Sequence, residues 1–378
     1  MTTDLPGSYK HRLVVPDLPA PVEYLPLLEE IQQNGWYSNF GPLVRRLERA
    51  LLSMIGAPEE CCVTCSNATA GLSAALLATG RADRVLLPAF TFPASLGAVR
   101  AAGMTPIVAD VDADSWTLGG NLERAVAETG ASVVMLVAPF GMRRDWESAL
   151  AVCRERGVAV VIDNASGLGG ARTSTGFGAD VFEVFSMHAT KPLGVGEGGV
   201  IFAHNSHDAA LRSALNFALN SHAQAHGPTW GFNGKMSEFH AAVALAQLNR
   251  IGSIVPRRQA FTAAYRDRLA RYSNVICPQD IRCAPWQSFP VLLPTAAAAE
   301  CFIATAAAAG VEIRRYYRPS LSRWPQTRCF EACPVAEDLA DRMCVLPVRA
   351  AKADDEADPL VNLVLDALHQ ALTRTKLS

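Results

Sequence analysis

The sequence predicts an α/β protein, with a mostly parallel central sheet sandwiched by helices in a large domain and a smaller α+β domain at the C-terminus. Three observations predict it. From about residue 40 to 205, helix-like and strand-like segments alternate, the pattern of a layered α/β architecture. Val133 to Val137 and Val158 to Ile162 are continuous apolar runs, expected of parallel strands buried on both faces. After residue 253 the alternation gives way to long helices, one hydrophobic strand and a polar, aromatic segment. The expected domains are therefore residues 1–253, comprising an N-terminal arm and the large domain, and residues 254–378.

Each element has its own signal. Leu43, Val44, Leu47, Ala50, Leu51 and Met54 recur at helical spacing, and Gly56 ends the run. Val63 lies in a short strand, and the small residues from Ala68 to Thr79 form a helix. Val85 to Leu87 reads as a strand, Ala94 to Ala102 as a helix stopped by Gly103, and Pro106 to Ala109 as the next strand. Beyond the two apolar runs, Val181 to Phe185 and Val200 to Ala203 are two more strands. One helix is expected from Met236 to Ile251 and another from Pro256 to Tyr272, with proline opening the second. Phe289 to Leu293 is a strand, and Ala296 to Ala309 is a helix set by alanine propensity and stopped by Gly310. A last helix runs from about Asp355 to Leu372.

Composition narrows the function classes. The 378 residues carry 34 basic and 36 acidic side chains, a net charge of -2, so there is no basic footprint for nucleic acid or an anionic membrane surface. Half the residues are hydrophobic, enough for a large core, but no stretch is long and charge-free enough to span a bilayer. The first residues lack a basic start followed by an apolar run, so no signal peptide is expected, and the expected location is the cytoplasm. The ten cysteines sit in apolar contexts that suit buried thiols. Cys62 and Cys65 form a lone C-x-x-C without a second pair or a nearby histidine, so no metal site is expected.

Four segments carry chemistry. From Phe185 to Gly199, a strand ends in Ser186, Met187 and His188, and Lys191 follows in a short turn before Gly194, Gly196, Gly198 and Gly199. A lysine packed by glycines can be desolvated, which lowers its pKa and makes the amine nucleophilic toward a carbonyl; an exposed turn lysine is the plain alternative. The run Val158 to Ile162 leads directly into Asp163, at the strand end where α/β sheets bind ligands. An ionised carboxylate there can pair with a protonated pyridine nitrogen, as pyridoxal phosphate (PLP) chemistry requires, or it can simply cap the next turn. Ser66, Asn67, Ala68, Thr69, Ala70 and Gly71 lie between a strand and a helix, where free N–H groups bind phosphate. Pro88 to Ser95 also follows a strand, and an aromatic ring from it could stack on a flat cofactor or fill the core.

In their order and spacing, Asn67-Ala68-Thr69, the Pro88-to-Ser95 run, Asp163 and the block from His188 to Lys191 and Glu197-Gly198-Gly199 resemble the DegT/DnrJ/EryC1/StrS family. Trp36 to Pro42 with Glu48 resembles its N-terminal segment, and Gly231 to Glu238, leading to Ala241, Ala242, Gln247 and Leu248, resembles its dimer-contact helix. Gly310 to Pro319 and Leu346-Pro347 resemble its C-terminal landmarks, so the likeness covers nearly the whole chain. The resemblance implies a fold-type-I, PLP-dependent sugar aminotransferase. It implies that Lys191 holds the cofactor as an internal aldimine and then shuttles a proton, and that Asp163 pairs with the pyridine nitrogen. It implies stacking by Phe92, phosphate contacts from Ala68, Thr69 and Ser186, and a further contact from Asn233 of the neighbouring subunit of a homodimer. His188 lies close to the lysine; the related dehydratase branch has histidine where this chain has Lys191, so retention of lysine supports transamination.

Two positions depart from the family pattern. Ser166 stands where the family has glutamine or histidine against the ring hydroxyl, so that contact is water-mediated or missing. Gly234-Lys235 replaces the usual Tyr-Arg, and lysine does not replace a bidentate arginine. The expected reaction moves an amino group from an amino acid, expected to be L-glutamate, to a keto group of a nucleotide-linked sugar through PLP and its amine form, pyridoxamine phosphate. Tyr37, Arg314, Arg315 and Tyr317 are the candidate substrate contacts, with surface salt bridges the competing role for the arginines. Transamination of a cyclitol ketone, sugar dehydration on the same scaffold, and a PLP-binding regulatory protein without turnover are the alternatives. A nucleotide-dependent dehydrogenase, prompted by Gly167-Leu168-Gly169-Gly170, lacks the last glycine of its fingerprint.

Overall fold

The computed structural model describes residues 9–172, 178–219, 228–350 and 357–376. In chain order, its first part runs α1 (Pro21–Asn34), α2 (Pro42–Ile55), β1 (Glu60–Cys65), α3 (Ala68–Ala78), β2 (Arg84–Pro88), α4 (Pro93–Ala101), β3 (Thr105–Ala109) and α5 (Leu122–Thr129). It continues with β4 (Val133–Val137), α6 (Glu147–Glu155), β5 (Ala159–Asp163), β6 (Val181–Ser186), β7 (Gly199–His204) and α7 (Asp208–Ala214). The long helix α8 (Glu238–Leu269) follows. After it come β8 (Ser288–Leu292), α9 (Ala296–Ala308), β9 (Arg314–Arg315), β10 (Arg328–Cys329), α10 (Pro334–Arg342), β11 (Met343–Pro347) and α11 (Ala357–Lys376).

The apolar runs that predicted a doubly covered sheet form its centre. Among the described residues the large sheet has the order β1-β7-β6-β5-β4-β2-β3-β10. Its strands from β6 to β3 are parallel, while β7 runs antiparallel to both β6 and β1. Every residue of β4 and β5 is buried, as two helical layers require. The β4–β5 register pairs Val137 with Asp163, and the β5–β6 register pairs Asp163 with Val184, so Asp163 ends the central strand. Helix α3 is buried from Gly71 to Ala78 and lies directly on the sheet, because Gly71 presents no side chain: a Cβ there would fall 2.9 Å from Cys65 Sγ and from Val184 Cγ1.

The C-terminal part holds a three-stranded antiparallel sheet, β8-β11-β9, and a helix pair in which α9 packs on α11. Only β8 was expected there as a strand. β9 and β10 are two residues long, too short to leave a periodic signal. β10 adds to β3 in parallel, so a segment of the C-terminal part extends the large sheet.

The two helices expected around Pro256 are one continuous helix, α8, of 32 residues. Proline removes a single backbone hydrogen bond, whereas Ile251, Ile254 and Val255 on one side of it and Arg258, Phe261 and Tyr265 on the other are all buried. Burial on both sides outweighs the lost bond. The expected junction between residues 253 and 254 therefore falls inside this helix. The expected start of the last helix, at Asp355, lies outside the described residues. All ten cysteines are free thiols, with Cys62 and Cys65 buried in β1. No group of metal-binding side chains, and no helix long and apolar enough to cross a membrane, occurs among the described residues.

Candidate active site

The site is assembled at the carboxyl ends of β5, β6 and β2, where the strands stop and their loops converge. Asp163, 5% exposed, terminates β5. Its Oδ2 accepts a hydrogen bond from Ser95 Oγ at 2.7 Å, and its Oδ1 accepts one from the Ala165 N–H at 3.2 Å. Burial pushes its carboxyl above the ordinary range, opposed by the Ser95 hydroxyl, the Ala165 N–H and the positive charge of Lys191. A buried carboxylate so placed favours a cation opposite it.

Lys191 lies in the turn between β6 and β7. Its N–H donates to the His188 carbonyl at 2.8 Å, and the Ala189 N–H donates to the Gly196 carbonyl at 2.7 Å. The turn can close because Gly194 has no side chain; a Cβ there would sit 2.5 Å from the Ala189 oxygen. The amine Nζ donates to Ser166 Oγ and to Gln287 Oε1, both at 2.7 Å. Burial lowers its pKa from 10.5 to about 8, with Asp163 pulling the other way. About a tenth of the amine is then unprotonated and nucleophilic at pH 7, far more than for a free lysine. Ser186 ends β6, and its buried hydroxyl accepts the His188 N–H at 3.2 Å, leaving its own proton to donate.

The anion cradle is the N-terminus of α3. The Asn67 side chain takes the Ala70 N–H at 2.9 Å, and the Asn67 carbonyl takes the Gly71 N–H at 3.0 Å. The remaining first-turn donors, on Ala68 and the exposed Thr69, point out of the helix end, where backbone N–H groups bind an anion. Strand β7 approaches this turn so closely that a Cβ on Gly199 would lie 2.8 Å from the Ala68 nitrogen and from the Asn67 carbonyl carbon. Phe92, at the start of α4, is 51% exposed, which is unusual for phenylalanine and leaves a flat apolar face open. These groups fit a planar pyridine phosphate: an amine for its aldehyde, a buried carboxylate for its ring nitrogen, N–H donors for its phosphate, and an aromatic face.

The remaining sequence candidates divide. Tyr317 joins the site: its ring stacks on Phe140 at 5.2 Å and meets Phe90 and Phe92 edge-on, and its hydroxyl accepts the Phe140 N–H at 3.3 Å. Burial and the nearby Asp163 charge raise its phenol pKa. The His188 imidazole has its Nδ1 2.8 Å from the Thr190 hydroxyl and its Nε2 3.7 Å from Glu197. Arg314 is engaged with Glu312. Arg315 binds Glu300 at 2.9 Å and the Asp341 carbonyl at 3.2 Å, so both arginines already have structural partners. Tyr37 is exposed beside Phe239 on the N-terminal arm. Asn233 is exposed too, and its neighbour Gly234 accepts the Ser66 N–H at 2.7 Å, which ties that segment to the cradle turn of the same chain.

Sequence reasoning missed Ser95 as the partner of Asp163 and Gln287 as a partner of Lys191. Ser95 had a usable signal, since it sits in the first turn of a helix that begins at a strand end. Gln287 had only a faint one, as a polar interruption in the apolar stretch from Ala284 to Leu293.

Comparison with known proteins agrees with this geometry. Residues 22–365 match the profile of the DegT/DnrJ/EryC1/StrS aminotransferase family. Protein Rv3402c of Mycobacterium tuberculosis is 30% identical over 375 residues, covering 93% of this chain and 89% of that protein. A crystal structure from Bacillus cereus ATCC 10987, assigned as a PLP-dependent aminotransferase, superposes with a TM-score of 0.85 at 26% identity, over 95% of this chain and 99% of that one. DesI, solved in the presence of its TDP-sugar product, superposes with a TM-score of 0.85 at 29% identity, over 98% and 97% of the two chains. The fold is that of the fold-type-I PLP enzymes. The chain belongs to the DegT/DnrJ/EryC1/StrS aminotransferase family and is a PLP-dependent aminotransferase.

Proposed function

We propose that the enzyme transfers the amino group of L-glutamate to a keto group of a nucleotide-linked sugar, with Lys191 as the residue that binds the cofactor covalently. The observation that carries the proposal is the half-buried Lys191 side chain, its amine held by Ser166 and Gln287 and its pKa lowered to about 8, in the same site as the buried Asp163. Likeness to DesI, solved in the presence of its TDP-sugar product, supports a sugar nucleotide as acceptor.

When bound, the cofactor supplies an electron sink that weakens the bonds at the donor's α-carbon. The chain does the rest. Asp163 holds a negative charge against the ring nitrogen, and Ser95 and the Ala165 N–H keep that charge in place. Ala68, Thr69 and Ser186 would anchor the cofactor's phosphate. Phe92 would cover one face of its ring, and Tyr317 packs with Phe90 and Phe140 beside it. The freed amine of Lys191 takes the proton from the donor's α-carbon, a task suited to a base whose pKa lies near the working pH.

The division into residues 1–253 and 254–378 belongs to the same proposal, with α8 shared between the two parts. So does a homodimer in which Asn233 reaches the partner's phosphate. It is supported by aromatic side chains left exposed on and near the arm: Trp36, Tyr37, Phe217, Trp230 and Phe239. Purified protein incubated with glutamate and a panel of keto-sugar nucleotides tests the activity. 2-Oxoglutarate that accumulates only with a matching keto-sugar supports the proposal; a panel that never yields it, with protein that carries the cofactor, refutes it.

A further inference from the structure

Gln287 lies in the short run from Ala284 to Gln287 before β8, in the C-terminal part of the chain, 96 residues from the lysine it touches. Its backbone is held firmly. Trp286 beside it is fully buried, with its indole N–H bonded to the Ile281 carbonyl at 2.6 Å. Arg258 of α8, only 2% exposed, donates to the Trp286 carbonyl at 3.0 Å. A side chain on so fixed a backbone arrives at Lys191 in one place.

The donors and acceptors around it form a closed set. Gln287 Oε1 accepts from Lys191 Nζ at 2.7 Å and from Ser166 Oγ at 3.3 Å. Ser166 Oγ in turn accepts from Lys191 Nζ at 2.7 Å. Gln287 Nε2 donates to Thr190 Oγ1 at 2.9 Å, and the Thr190 hydroxyl lies 2.8 Å from His188 Nδ1. A flipped amide would set an N–H against the Lys191 ammonium, so the protonated amine favours this orientation.

We propose that Gln287 is a positioning residue for Lys191: its amide oxygen aims the lysine amine, and its amide nitrogen joins that amine to Thr190 and His188. A neutral amine has two N–H donors and one lone pair. Ser166 and Gln287 take both donors, so the lone pair, the part that attacks a carbonyl or accepts a proton, is left with one direction. This inference rests on the role of Lys191 proposed above. Asp163 at the end of β5 is the charged group that acts on Lys191; Tyr317 lies beside Asp163, His188 stands in the lysine's own turn, and Glu197 lies 3.7 Å from His188.

The test uses full-length, cofactor-stripped protein. Competitive acetylation with acetic anhydride across a pH series, read by peptide mass spectrometry, gives the titration midpoint of Lys191 in the wild type, Gln287→Leu and Gln287→Glu. An acceptor stabilises an ammonium more than an amine, so Gln287→Leu should lower the midpoint by about one pH unit. The nearly isosteric Gln287→Glu adds a negative charge and should raise it by about one unit or more. Should the leucine variant fail to fold, the glutamate variant alone decides. Coincident midpoints overturn the inference, even where the cofactor still attaches to Lys191. Shifted midpoints in a protein whose cofactor attaches elsewhere overturn the proposed function, and this inference with it.

Discussion

Replacing Ser95 with alanine should make the stability of the cofactor-free protein more sensitive to pH. Ser95 is fully buried and donates to Asp163 at 2.7 Å, while Thr91 lies 2.8 Å from the same hydroxyl. A hydrogen bond to a charged acceptor contributes about 1.5–3 kcal/mol, and one between neutral groups about 0.5–1.5 kcal/mol. The difference, about 1–1.5 kcal/mol, is what Ser95 adds to the ionised form of Asp163 alone, equivalent to roughly one pKa unit. The sign follows from burial. The Asp163 carboxyl already lies above its unfolded value, so the native state binds more protons than the unfolded chain in the interval between the two, and stability falls as pH rises across it. Ser95→Ala moves the upper end of that interval higher. Its destabilisation should be about 1 kcal/mol at a pH below the raised carboxyl pKa and about 1–1.5 kcal/mol greater at a pH above it. Urea unfolding at the two pH values measures this. Ser73→Ala is the control, because buried Ser73 bonds only to the carbonyls of Thr69 and Ala98, and its cost should not change with pH. A Ser95→Ala cost equal at both pH values would refute the charge-holding role.

Three other outcomes are expected. Gly199→Ala should weaken cofactor binding at least about tenfold, because its Cβ would press within 2.8 Å of the Ala68 nitrogen; equilibrium dialysis checks it. Phe92→Ala should weaken cofactor binding by about 1 kcal/mol, roughly fivefold, while thermal unfolding of the cofactor-free protein moves little, since the ring is 51% exposed. The rate at which cofactor-free protein captures an aldehyde should rise with pH through about 8, as Lys191 loses its proton, and then level off; stopped-flow absorbance follows it.

What could be read in the sequence was what local pattern controls. Asp163 was legible because an apolar run fixed the strand and the residue after it had to stand at the strand end. Lys191 and the Asn67 turn were legible because glycines and small residues mark close backbone approach. The roles of Ser95 and Gln287 depend on packing between segments 68 and 96 residues apart, which no local period encodes. The same holds for Arg315, whose partners Glu300 and Asp341 come from separate helices. The break expected at Pro256 failed because propensity described one residue while burial on both sides of it decided the helix. The short strands β9 and β10 exist only because longer strands offer them an edge.

The central claim concerns one nitrogen atom. The chain has lysines at positions 10, 191, 235, 352 and 376. Borohydride reduction of the cofactor-loaded protein followed by peptide mapping should place the stable adduct on Lys191, and Lys191→Ala should form none. An adduct on any of the other four lysines, or one that persists in Lys191→Ala, would contradict it.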